Sequence, residues 1–113
     1  MQTIKVMADY ECHPLWAVDD VPARNLSPRE LRVPEDLILD LENWAKRYDA
    51  TLDWDDPASS GFASEDEHRS WVTQGRALAS RLQLELGDGF RVEYFDDLEQ
   101  RVVAVTRNGP SPE

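Results

Sequence analysis

The chain has 113 residues, 23 of them acidic and 12 basic, for a formal net charge of −11, with 41% hydrophobic and 31% charged residues. That length suits one domain with one core, and that charge repels phosphate backbones and anionic lipid, which argues against nucleic acid or a membrane surface as partner and for a basic one. The single cysteine, Cys12, excludes an intramolecular disulfide and a cysteine-based zinc cluster.

The N-terminus, MQTIKVMADYE, lacks the continuous apolar stretch of a signal peptide, and no run approaches the roughly 18 apolar residues of a membrane span. The cytoplasm is the expected compartment. Residues 3–8 (TIKVMA) are rich in β-formers, with Ile4 and Val6 on one face, and predict a first strand. From Asp9 to Val33 the chain reads as irregular. Prolines 14, 22 and 28 interrupt it, and Tyr10, Leu15 and Trp16 are its expected anchors to the core. Ser27-Pro28-Arg29-Glu30 fits one short helical turn, with serine as cap and proline at the first position.

A helix is predicted over 34–49. Pro34 opens it, Glu35 and Asp36 suit its positive end, and Leu37, Leu41, Trp44, Ala45 and Tyr48 form one apolar stripe. A loop rich in Pro, Ser and Gly follows to Phe62. Ser64-Glu65-Asp66-Glu67 then matches a capping box, in which the serine oxygen accepts a free backbone N–H and the glutamate reaches back. A second helix is predicted over 65–86, with Trp71, Gly75, Leu78, Leu82 and Leu86 on one face and Gly87 as its stop. Gly75, lacking a side chain, invites close approach by a neighbour. Residues 90–95 and 101–106 read as two strands of a hairpin, and 108–113 as a loose tail. The implied fold is an α+β two-layer sandwich in the order β-α-α-β-β, a three-stranded sheet with both helices on one face, within a single domain over 1–107.

From Asp49 to Glu67 there are seven carboxylates and no lysine or arginine. Asp53, Trp54, Asp55, Asp56, Phe62, Glu65, Asp66 and Glu67 are the candidate partner-binding residues: acids for the rim of an interface and rings for its pockets. Two other readings stay open. Trp54 and Phe62 could be core anchors while Glu65, Asp66 and Glu67 complement a helix dipole. Alternatively, Asp53, Asp55 and Asp56 could hold a hard cation for a small metal-dependent enzyme, although the segment lacks the glycine and distal glutamate of an EF-hand. The expectation is no metal, no cofactor and no catalytic residue. Cys12 and His13 are adjacent and point apart in an extended chain, so they make a poor nucleophile and base. An orphan structural or regulatory subunit is a further alternative.

Ala8-Asp9-Tyr10, Pro14-Leu15-Trp16, Tyr48-Asp49-Ala50-Thr51-Leu52-Asp53-Trp54-Asp55-Asp56-Pro57, Ser60-Gly61-Phe62 and Glu85-Leu86-Gly87 give the chain a distinctive pattern. In these segments it resembles a group of short acidic bacterial proteins, chiefly of actinomycetes. In size and charge it is also similar to immunity proteins, which neutralise secreted toxins; that likeness implies an inhibitor that covers a basic surface on its partner.

Overall fold

The structure is a computed structural model describing residues 2–52, 55–56 and 61–105. The segments predicted from sequence at 53–54, 57–60 and 106–113, the tail among them, lie outside the described residues.

Strands β1 (Gln2–Val6), β2 (Leu15–Ala17) and β3 (Arg24–Leu26) come first, followed by a 3-10 turn (Pro28–Glu30). Helices α1 (Glu35–Asp49) and α2 (Glu65–Leu86) follow, then strands β4 (Phe90–Asp96) and β5 (Arg101–Ala104). The α+β class and both helices stand as expected. The three-stranded sheet does not: the sheet has five strands in the order β3-β2-β1-β4-β5. The two extra strands come from the stretch read as irregular. Each is only three residues long, too short for an alternating pattern to show, yet Leu15 pairs with Val6 and with Leu26, extending the buried face.

β1 runs antiparallel to β2 and parallel to β4. Ile4, Val6, Leu15, Ala17, Leu26, Val92, Tyr94 and Val103 line one face and are buried against Leu37, Leu41, Trp44, Trp71 and Leu82 of the helices. The helices thus cover one face, as period-two strands and single-stripe helices require. Lys5, Trp16, Glu93, Phe95 and Val102 lie on the other face.

Two tryptophans lock the helices together. The rings of Trp44 and Trp71 stack at 4.3 Å and 3°, and each indole N–H donates to the other residue's backbone carbonyl at 2.9 Å. The reciprocal bonds let two fully buried indoles satisfy their only polar atoms. A Cβ on Gly75 would lie 2.6 Å from the Tyr94 hydroxyl and would also strike the Trp44 ring, so glycine is required for this approach. The Tyr94 hydroxyl donates to the Val72 carbonyl at 2.8 Å. At the far end of α2, buried Gln83 accepts from Val92 N–H at 2.7 Å and donates to the Phe90 carbonyl at 2.9 Å, fastening β4 to the helix.

The helix starts follow their local sequence, with a twist. The capping box foreseen at 64–67 shows its serine arm, Glu67 N–H donating to Ser64 Oγ at 3.1 Å. A complete box forms instead at 27–30, where Ser27 N–H also donates to the Glu30 carboxylate at 2.9 Å. Gly87 ends α2 at φ +75°, a region favouring glycine.

A candidate protein-binding interface

Because β1 and β4 are parallel, the loops leaving them emerge at the same end of the sheet. Those loops contain Asp9 and Glu11 on one side and Asp97 and Glu99 on the other, while Asp96, the last residue of β4, is buried and its carboxylate accepts from the Leu98 and Glu99 N–H groups. The antiparallel helices bring the last turn of α1, with Asp49, and the first turn of α2 to that end as well. Four hydrogen bonds tie the pieces together. Glu11 N–H donates to Asp49 Oδ1 at 2.9 Å, and the Tyr10 hydroxyl meets Thr51 Oγ1 at 3.1 Å. His68 Nε2 lies 2.7 Å from Asp97 Oδ2, and Arg47 on α1 donates to Gln74 on α2.

An aromatic relay runs through this end from the core to the surface. Tyr48 stacks on Trp71 at 5.2 Å and on Tyr10 at 4.7 Å, while Phe62 stacks on His68 at 4.8 Å and tilts against Trp71 at 5.2 Å. Burial, and then the Asp97 and Tyr10 neighbours, push the Tyr48 phenol up to about 12. Burial likewise raises the Tyr94 phenol.

Among the candidate residues, Asp55, Asp56, Glu65, Asp66 and Glu67 are exposed. Phe62 is half-buried, one face against the relay, so its ring belongs partly to the core. Asp53 and Trp54 lie outside the described residues. On the helical surface away from this end several acids are matched by arginines: Arg81 lies 2.7 Å from Asp36 and 3.6 Å from Asp40, and Arg29 lies 3.0 Å from Glu35. The Arg81 hydrogen bond holds the Asp36 carboxyl below the ordinary aspartate range. At the acidic end, Glu11, Asp49, Glu65 and Glu67 have no ion pair among the described residues, while Asp66 has Arg69 at 3.6 Å, Glu99 has Arg101 at 2.6 Å and Asp97 has His68 at 2.7 Å.

Two grooves reach the last turn of α1. One, of about 400 Å³, is lined by Glu11, Cys12, His13, Pro14, Glu42, Ala45, Lys46 and Asp49. The other, of about 340 Å³, is bounded by Arg47, Ala50, Thr51, Gly61, Phe62, Ala63 and Glu67. The first contains Cys12 and His13, but not as nucleophile and base. Burial, then Asp9, Asp49 and Glu11, push the Cys12 thiol up, away from the reactive thiolate. His13 is exposed, and its backbone is clamped by Asn25, whose side chain accepts from His13 N–H at 2.9 Å and donates to the His13 and Leu15 carbonyls. Among the described residues no group of three or more His, Cys, Asp or Glu side chains is arranged to hold a metal ion, and no helix is long and apolar enough to cross a membrane.

Sequence reasoning located the run of acids from Asp49 to Glu67 and missed Glu11 and the turn after β4 as their neighbours. The missing information was strand pairing: acidic residues follow both the first strand and the 90–95 strand, but only a parallel pairing puts them together.

Fold and surface define a small two-layer α+β protein whose carboxylates gather at one doubly grooved end. Residues 2–97, from β1 into the turn after β4, match the family described as Serratia CdiI immunity protein-like, and the chain belongs to that family. No curated protein matches the chain.

Proposed function

We propose that the chain is a non-enzymatic immunity protein of the cytoplasm that neutralises a toxin by binding it, and that the acidic end is the surface it presents. The match to an immunity protein-like family over residues 2–97 carries this reading. The charge distribution supports it. Glu11, Asp49, Glu65 and Glu67, with no ion pair among the described residues, add to the chain's net charge of −11 in a field that steers a basic surface toward this end and raises the association rate. Asp53, Asp55, Asp56, Glu65, Asp66 and Glu67 form the charged rim, and Trp54 and Phe62 provide apolar contact. Neither metal nor cofactor is needed, because occlusion of the partner does the work.

The test is co-expression in a sensitive bacterium of this chain with each candidate toxin domain of its native host. Growth is rescued by the wild-type chain, and rescue is weakened by the double reversal Asp55→Lys/Asp56→Lys with folding retained. Failure of the correctly folded wild-type chain to restore growth, with no complex between the purified proteins, contradicts the proposal.

A further inference from the structure

His68 continues the buried stripe of α2 toward the acidic end, one turn ahead of Trp71 and Val72, where the pattern calls for an apolar side chain. An imidazole serves there because its face can pack while its edge bonds. The face stacks on Phe62 at 4.8 Å and 12° and tilts against Trp71 at 6.4 Å. The edge reaches the turn after β4, where Nε2 lies 2.7 Å from Asp97 Oδ2. A carboxylate oxygen accepts, so this bond puts a proton on Nε2. With side-chain exposures of 25% and 24%, the pair is screened less than one on the open surface.

Each contact lands on a segment of the acidic end. Phe62 bounds the groove of about 340 Å³ together with Thr51 and Glu67, and the Gly61 N–H beside it donates to the Thr51 carbonyl at 3.0 Å. Asp97 opens the turn in which Leu98 and Glu99 N–H donate to Asp96 Oδ1 at 2.9 and 3.0 Å and Gln100 sits at φ +55°. That conformation is uncommon for a residue with a Cβ and persists only where surrounding contacts hold it.

We propose that His68 is a positioning residue for partner binding, its stack and its bond holding Phe62 and the turn after β4 together as one face; the inference rests on the immunity reading above. The gain is pre-organisation. A ring and a turn fixed before encounter lose less freedom when a partner covers them, and the complex lives longer.

Amide hydrogen exchange on the full chain separates the two contacts. His68→Phe keeps a ring against Phe62 and cannot bond Asp97, so the Leu98, Glu99 and Gln100 amides should exchange several-fold faster while Gly61 stays protected. His68→Gln keeps a donor near the Nε2 position and loses the ring, so the Gly61 amide should speed up several-fold instead. In both variants the amides of the β1–β4 ladder should change far less. Asp97→Asn retains an acceptor oxygen and should behave as the wild type, whereas Asp97→Ala should match His68→Phe.

Binding is then read with the candidate toxin domain whose toxicity the chain relieves. Both His68 variants should dissociate several-fold faster at a nearly unchanged association rate, and Asp97→Asn should dissociate at the wild-type rate. Unchanged exchange in both variants, or equal acceleration across the whole sheet, overturns the proposal. So does wild-type dissociation by both variants, which leaves the immunity reading standing. A wild-type chain that neither binds nor relieves any candidate toxin domain sinks the immunity reading, and this role with it.

Discussion

Trp44 and Trp71 show how much one side chain can hold. Each ring fills the space between the helices and also caps the other's backbone carbonyl. Removing either leaves a cavity and takes a second hydrogen bond from a buried helical carbonyl, so Trp44→Ala or Trp71→Ala should cost about 3–5 kcal/mol in urea unfolding. A loss near zero would mean that the stacked pair is not part of the core. Tyr48 makes a second prediction, with a definite sign. Its phenol lies near 12 in the folded protein against an ordinary 10.0, so the unfolded chain ionises first as pH rises. Its contribution is therefore fully present below pH 10 and is lost progressively from there toward pH 12. Tyr48→Phe should flatten part of the fall in stability across that window, and a fall unchanged in the variant would assign it to other groups.

At the scale of elements, legibility followed length. Helices α1 and α2 were read within a residue of their ends because 15 and 22 residues carry several turns of a 3.6-residue stripe. The 90–95 strand was equally plain, since it alternates over its whole length. β2 and β3, at three residues each, were not legible, and prolines on either side made the stretch look like a loop. What holds that hairpin is partly a side chain: Asn25 makes three bonds to the backbone of His13 and Leu15. No propensity scale records such a clamp. Asn25→Ala should destabilise by about 1–3 kcal/mol, with hydrogen exchange rising first at residues 13–17 and 24–26. Uniform exchange across the sheet would show that this hairpin is no separate cooperative unit.

For the whole molecule, the candidate site was half legible. The run of acids between the helices is a local property of the chain, visible without a fold. Its merger with Glu11 and the turn after β4 depends on the parallel β1–β4 pairing, a long-range choice that the residues of either strand do not encode alone. Phe62 shows the same limit: its ring could be assigned to interface or core only once Trp71 and His68 were seen against it. If the chain acts by covering its partner's surface, as proposed, its stability should be indifferent to divalent cations. Chelator and micromolar calcium should both leave the melting temperature unchanged, and a saturable rise of several degrees with calcium would instead promote the Asp53, Asp55 and Asp56 segment to a cation site.

The most direct measurement of the central claim is the association rate of the chain with its toxin, followed by stopped flow as salt rises from about 50 to about 500 mM, on the order of a threefold change in Debye length. If the acidic end steers docking, the rate constant should fall by about tenfold or more while dissociation changes little, and Asp55→Lys/Asp56→Lys should slow association at low salt. A complex whose association is indifferent both to salt and to that charge reversal would contradict the assignment of this end as the binding surface.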